Sequence, residues 1–167
     1  ELISGYGELW SAQILAESLL AAGRKADWLD AREVLVVRTG ESGVVVDWEV
    51  SEARLAAWLK SRSGADVVVI TGFVASTVDG VPTTLGRNGS DYSASIFGAC
   101  LRAESITIWT DVDGVLSADP RQVPGAQVLA ELSYREAMEL AYFGAKIVHP
   151  STMVPAVKHG IPVLIRN

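Results

Sequence analysis

The sequence predicts an α/β fold with a largely parallel central sheet, and three observations carry that expectation. Asp66 to Thr71 is β-branched and apolar throughout, as a strand buried on both faces would be. Stretches of this kind alternate with stretches whose apolar residues recur at helical spacing. The chain has 167 residues, 49% of them hydrophobic and 20% charged, which suits one globular domain.

The elements follow in order. Gly7 opens a helical stretch running to Ala22, with Leu9, Ala12, Leu15, Ala16, Leu19 and Leu20 at helical spacing and Gly23 placed as a C-terminal glycine. Ala26 to Ala31 is a short strand centred on Trp28 and Leu29. Residues 38–47, with Gly40 and Gly43, read as a loop or an edge excursion. Ser51 to Lys60 is helical, Ser51 being placed to cap it. After the strand Asp66 to Thr71, Asp79-Gly80 signals a tight turn between two extended pieces. Asp91 to Leu101 is a helix rich in Ala and Ser, Ser105 to Thr110 a strand, and Asp111 to Pro120 a polar loop. Ser133 to Phe143 is an amphipathic helix whose Ser133 and Glu136 are spaced as a capping box. A short helix from Thr152 to Lys158 precedes a last strand, Ile161 to Ile165. Ligands of such sheets bind beyond the carboxyl ends of strands, which selects the segments after Ile70, Leu85 and Trp109.

Composition excludes several functions. Acidic residues outnumber basic ones, 20 against 14, and no Lys/Arg cluster offsets the net charge of −6, so nucleic acid is not the expected partner. No apolar run approaches the ~18 residues of a membrane helix, so no membrane partner is expected. A single cysteine, Cys100, excludes an internal disulfide framework and fits a reducing, cytoplasmic setting. No basic-then-apolar leader is present, and the abrupt ends at Glu1 and Asn167 read as cuts through a larger protein. His149 and His159 share no metal-ligand spacing, so no metal site is expected. Walker, Gly-x-Gly-x-x-Gly and Gly-x-Ser-x-Gly motifs are absent.

Three segments can carry chemistry. In the first, Gly86-Arg87-Asn88-Gly89-Ser90-Asp91, each residue alone can be a helix cap or a solvated charge. Together they suit a binding loop. Glycine admits close backbone approach, a helix N-terminus attracts anions, Arg87 can grip a carboxylate with two parallel bonds, and Asp91 suits an ammonium group. Arginine plus aspartate beside one loop is the complement of an α-amino acid. The second segment is Trp109-Thr110-Asp111-Val112-Asp113-Gly114 with Asp119-Pro120-Arg121. Its acids are spaced like the start of a calcium loop, but the later bidentate acid is missing and a strand precedes it. It is either a turn-rich surface loop or a seat for a nucleotide's base and ribose, with Arg121 on the phosphates. The third is Gly7-Glu8, where Glu8 either complements the helix dipole or meets a substrate amine. Lys146, closing a helix, reads by itself as a solvated charge.

Those residues carry a resemblance. Leu85-Gly86-Arg87-Asn88-Gly89-Ser90-Asp91-Tyr92-Ser93-Ala94, Ile108-Trp109-Thr110-Asp111-Val112-Asp113-Gly114-Val115 with Ala118-Asp119-Pro120-Arg121, and Phe143-Gly144-Ala145-Lys146-Ile147-Val148-His149-Pro150 resemble aspartate kinases of the amino-acid-kinase superfamily. Tyr134 to Lys146 and Arg121-Gln122-Val123-Pro124 most resemble bifunctional aspartokinase–homoserine dehydrogenases. The similarity spans nearly the whole chain, least over residues 38–60. It implies a three-layer α/β/α sandwich and transfer of the γ-phosphoryl of Mg·ATP to the β-carboxylate of L-aspartate. That is the first step towards lysine, threonine and methionine. It implies Glu8, Phe73, Arg87, Gly89, Ser90 and Asp91 around aspartate, Arg87 and Asp91 being the catalytic pair. Thr110, Asp111, Asp119, Arg121 and Lys146 would surround ATP, with Mg2+ carried by the nucleotide. Residues 1–167 would then be the central and C-terminal part of one catalytic domain of a homo-oligomeric protein. The family's Lys-Phe-Gly-Gly-Thr-Ser-type phosphate loop and its C-terminal regulatory domains have no counterpart among these residues. Another amino-acid kinase of this fold, or a non-catalytic amino-acid-binding module, are the alternatives.

Overall fold

The computed structural model of the chain describes residues 3–40, 43–62, 64–119, 121–142 and 153–167. It divides into two compact units, Glu1–Ser93 and Ala94–Asn167. Strands and helices alternate, and among the described residues three strand pairings are parallel and two antiparallel, a mixed arrangement within an α/β chain.

In the first unit, helix α1 (Tyr6–Ala21) buries Leu9, Ala12 and Ala16 and packs on the parallel pair β1 (Ala26–Leu29) and β4 (Val67–Ile70). Gly23 ends the helix in a left-handed conformation, φ 78°, from which its N–H reaches the Leu20 carbonyl while that of Arg24 reaches Leu19. Only glycine takes that conformation without a Cβ penalty. β4 departs from the sequence expectation. All four of its residues are half-buried rather than enclosed on both faces, because among the described residues it pairs with β1 alone.

β1 stops at Leu29, earlier than the sequence suggested. The Asp30 carboxylate accepts the Arg32 N–H at 3.0 Å and starts the single-turn helix α2 (Ala31–Val34). A second sheet follows. β2 (Val36–Gly40) and β3 (Gly43–Val46) form an antiparallel hairpin over the segment expected to be a loop or an edge excursion, with β3 at the sheet edge. β2 also pairs parallel with β5 (Val74–Thr77), which turns through Gly80 at φ 77° into antiparallel β6 (Pro82–Thr84).

Helix α3 (Trp48–Ser61) begins three residues before Ser51, since Asp47 and not Ser51 caps it, accepting from the Val50 N–H. Ser51 has a different task. It is buried at 3% exposure, and its hydroxyl accepts the Val36 N–H at 3.0 Å, fastening the helix to β2.

In the second unit the later part of α4 (Gly89–Cys100) leads to β7 (Ile106–Trp109), which pairs parallel with β8 (Val163–Arg166). Gly98 lets α4 lie close to the sheet, for a Cβ there would come within 2.5 Å of Ile106. Ile106, Ile108, Met153, Ala156 and Ile161 form the buried cluster of this unit. The Ser95 hydroxyl ties α4 to the short helix α6 (Val154–Lys158) by accepting the Ala156 N–H at 3.1 Å. Helix α5 (Tyr134–Tyr142) starts at the expected capping box: the Ser133 N–H donates to Glu136 at 2.7 Å, and the Glu136 N–H to the Ser133 hydroxyl at 3.3 Å. Hydrogen bonds from the Ser133 side chain and then its backbone hold the Glu136 carboxyl below its ordinary pKa.

Truncating Ser51 to alanine leaves the Val36 amide, in a residue of 0% exposure, without its acceptor. We expect Ser51→Ala to lower the unfolding free energy by about 1–3 kcal/mol in urea titration. A loss within about 0.5 kcal/mol of zero, the range of indifferent surface changes, would show that the bond does not matter.

Candidate functional site

A cleft of about 390 Å³ opens in the first unit, between the start of α1, the turn after β4 and the loop entering α4. Glu8, Phe73, Arg87, Gly89, Ser90 and Asp91 all line it, so the residues singled out for an amino acid come together from three separate segments. Ser4, Gly86 and Asn88 line it as well.

Local chemistry explains this geometry. The chain leaves β6 through Gly86 at φ 76° and Asn88 at φ 57°, the latter being one of the few residue types that takes the left-handed region readily. The Asn88 carbonyl accepts the Tyr92 N–H at 3.1 Å, so α4 begins at Gly89, two residues earlier than the sequence suggested. Ser90 and Asp91 therefore sit in the first helical turn rather than capping it. Packed against that helix start, Phe73 also has a left-handed backbone, φ 68°, which is costly for a bulky side chain. Its ring leaves no room for a side chain at Gly89, where a Cβ would lie 2.8 Å from Phe73 Cδ2 and 3.2 Å from Leu85 Cβ.

The charges lining the cleft are uncommitted. None of the ion pairs among the described residues uses Glu8, Arg87 or Asp91. Burial without a compensating partner raises the Asp91 pKa above its ordinary 3.8. An arginine and two carboxylates held apart in one cleft can receive a molecule that carries both a carboxylate and an ammonium group.

The second group of candidates lies in the second unit and is less gathered. Thr110 and Asp111 follow β7, the Thr110 hydroxyl donating to Asp111 at 3.2 Å. Arg121 grips Asp119 with two parallel bonds, 3.1 Å from Nε to Oδ1 and 2.7 Å from Nη2 to Oδ2. That hydrogen bonding raises the Arg121 pKa, and the cation is already neutralised by a neighbour two residues away. A cavity of about 580 Å³ lies in the same unit, with Asp113, Tyr134, Met138, Met153 and Ile165 in its wall, but none of Thr110, Asp111, Asp119 and Arg121 lines it. Lys146, with its Phe143-Gly144-Ala145 neighbours, lies outside the described residues.

With this geometry in hand, the chain was compared with known proteins. The model of the amino acid kinase family matches residues 1–167. The chain belongs to the amino acid kinase family. Within that family it is 51% identical over 168 residues to bifunctional aspartokinase/homoserine dehydrogenase 1, chloroplastic, of maize, and spans 18% of that protein's length. It is 41% identical over 167 residues to lysine-sensitive aspartokinase 3 of Escherichia coli K12, spanning 36% of it. The crystal structure of E. coli aspartokinase III in complex with aspartate and ADP superposes with a TM-score of 0.85 at 38% identity, over 96% of this chain and 36% of that one. These relatives are much longer than this chain.

Sequence reasoning about this amino acid kinase chain missed one functional group of residues: the backbone hinges and braces of the cleft. Asn88 before a glycine was the available signal, since that dipeptide favours left-handed turns. Nothing in the sequence marked Phe73 as left-handed.

The raised Asp91 pKa has a consequence for stability. In the window just above 3.8 the folded chain holds the Asp91 proton more readily than the unfolded chain, so the contribution of Asp91 to stability falls as pH rises through that window. Asp91→Asn removes that contribution, so the stability of the variant relative to the parent, measured by urea unfolding, is expected to rise with pH through the window. Parallel curves for parent and variant from pH 4 upward would contradict it.

Proposed function

We propose that the cleft binds L-aspartate and that the protein is an aspartate kinase, transferring the γ-phosphoryl of Mg·ATP to the aspartate β-carboxylate. The observation that carries this reading is the convergence of uncommitted Glu8, Arg87 and Asp91 on one cleft at the start of a helix. The relative crystallised with aspartate and ADP supports it.

In this reading Arg87 holds a substrate carboxylate with a forked pair of bonds. The amides of Ser90 and Asp91, in a helical turn that lacks intrahelical acceptors, add partial positive charge to the same end. Glu8 and Asp91 take the ammonium group, which places the carboxylates apart and selects an α-amino acid over an N-acetylated one. A β-carboxylate oxygen attacks the γ-phosphorus, the bond to the bridging oxygen breaks, and ADP departs, leaving an acyl phosphate. Such transfer depends on positioning and charge neutralisation.

Thr110, Asp111, Asp119, Arg121 and Lys146 are assigned to the nucleotide. Asp119 already accepts from Arg121, and Asp113 from Asn167 at 3.1 Å. Mg2+ keeps to substrate phosphates and needs few protein carboxylates, so the reading leaves it on ATP. No helix among the described residues is long and apolar enough to cross a membrane. The setting is a reducing compartment: cytoplasm, or chloroplast as in the maize relative's name. Homo-oligomeric assembly and end-product control belong to the same proposal. The name of the lysine-sensitive E. coli relative supports the second.

Calorimetric titration of L-aspartate into the chain tests the cleft. We expect saturable binding, weakened about 10- to 100-fold in Arg87→Ala, the range of a lost charge-assisted hydrogen bond. Equal affinity in parent and variant would remove Arg87 from the site.

The Lys-Phe-Gly-Gly-Thr-Ser-type loop implied by the resemblance is not among these 167 residues. This chain by itself is therefore expected to bind aspartate without appreciable turnover in a coupled ADP-release assay. Sustained aspartate-dependent ADP release would show that the remaining residues suffice.

A further inference from the structure

We propose that Ser93 is the positioning residue of the amino-acid cleft, its hydroxyl locking Phe73 and Gly89 against each other in the arrangement that receives the ligand. The inference rests on reading the cleft as an amino-acid site, and it concerns a residue that does not itself line it.

Ser93 is 3% exposed and stands one turn into α4. A serine inside a helix usually faces solvent or bonds back to the carbonyl four residues earlier. Ser93 does the second, donating to the Gly89 carbonyl at 2.9 Å. The same oxygen also accepts the Phe73 N–H at 2.9 Å, across twenty residues of sequence. Both hydrogen-bonding functions of the hydroxyl are thus spent on two touching residues of the cleft wall.

Those two residues need holding. Phe73 keeps a left-handed backbone at φ 68° that a phenylalanine leaves when released. Its carbonyl accepts the Leu85 N–H at 2.8 Å, so the segment 85–93 grips Phe73 at both ends. Gly89 lies against the Phe73 ring with no space for a side chain. Without the Ser93 hydroxyl, the Phe73 amide loses its acceptor. The residue can then relax towards an ordinary backbone, carrying the ring across the cleft. Arg87 and Asp91 would keep their charges and lose their spacing.

The test combines exchange and binding. In the parent chain the Phe73 amide should exchange with solvent far more slowly than the amides of Val78 and Asp79 in the exposed turn. Equal rates would overturn the proposal. Ser93→Ala should weaken L-aspartate binding about tenfold or more and leave Mg·ATP binding unchanged, while Ser93→Thr, which keeps the hydroxyl, should restore aspartate affinity. If Ser93→Ala does not fold, Ser93→Cys, with a similar shape and a weaker acceptor, takes its place with the same expected loss. Aspartate affinity unchanged without the hydroxyl, or lost equally with threonine, would refute the positioning role. A parent chain that binds no L-aspartate sinks the functional reading and this proposal with it. A parent that binds, beside an indifferent Ser93→Ala, sinks this proposal alone.

Discussion

Gly89 approaches Phe73 so closely that a single added methyl group would sit 2.8 Å from the ring, and the layout of the cleft follows from that approach. It requires that the first residue of α4 carry no side chain. On the other side of the contact the chain leaves β4 through a left-handed Phe73, whose ring lies against the helix start. With these backbones in place, Arg87 and Asp91 stand on the helical entry and Glu8 on α1 faces the same space. The charged groups are placed by apolar and backbone contacts rather than by one another. A ligand therefore meets charges that have no internal partner to give up.

The regular elements were legible where local chemistry and tertiary packing agree. Gly23 ended α1 as expected, since the left-handed C-terminal position is a property of the backbone alone. The Ser133–Glu136 box was equally local. The sequence misled where a long-range partner decided the matter. Ser51 has the chemistry of a cap, and only the folded chain shows that Asp47 takes that place while Ser51 reaches β2. The β2–β3 hairpin was hidden because one of its strands lies at an edge and needs no continuous apolar run.

The cleft was legible as a set of residue types before it was visible as a place. Arginine, aspartate and two glycines near a helix start imply an anion and an ammonium, whatever the fold. The contribution of Phe73 came only through the family resemblance, because an isolated phenylalanine after a strand looks like core. Ser93 escaped notice for the same reason: a small polar residue on an Ala- and Ser-rich helix declares nothing until its acceptor role across twenty residues is seen. Of the residues proposed for the nucleotide, Thr110, Asp111, Asp119 and Arg121 lie outside the cavity of their unit and pair within their own turns.

The Arg121–Asp119 clamp belongs to that last group. Its partners are two residues apart, so an unfolded chain can form the same pair almost as well, and the interaction contributes little to the difference between folded and unfolded states. Were a phosphate to bind Arg121, as proposed, it would have to take the guanidinium from a carboxylate already bound by two parallel bonds, an exchange of partners and not the filling of an empty seat.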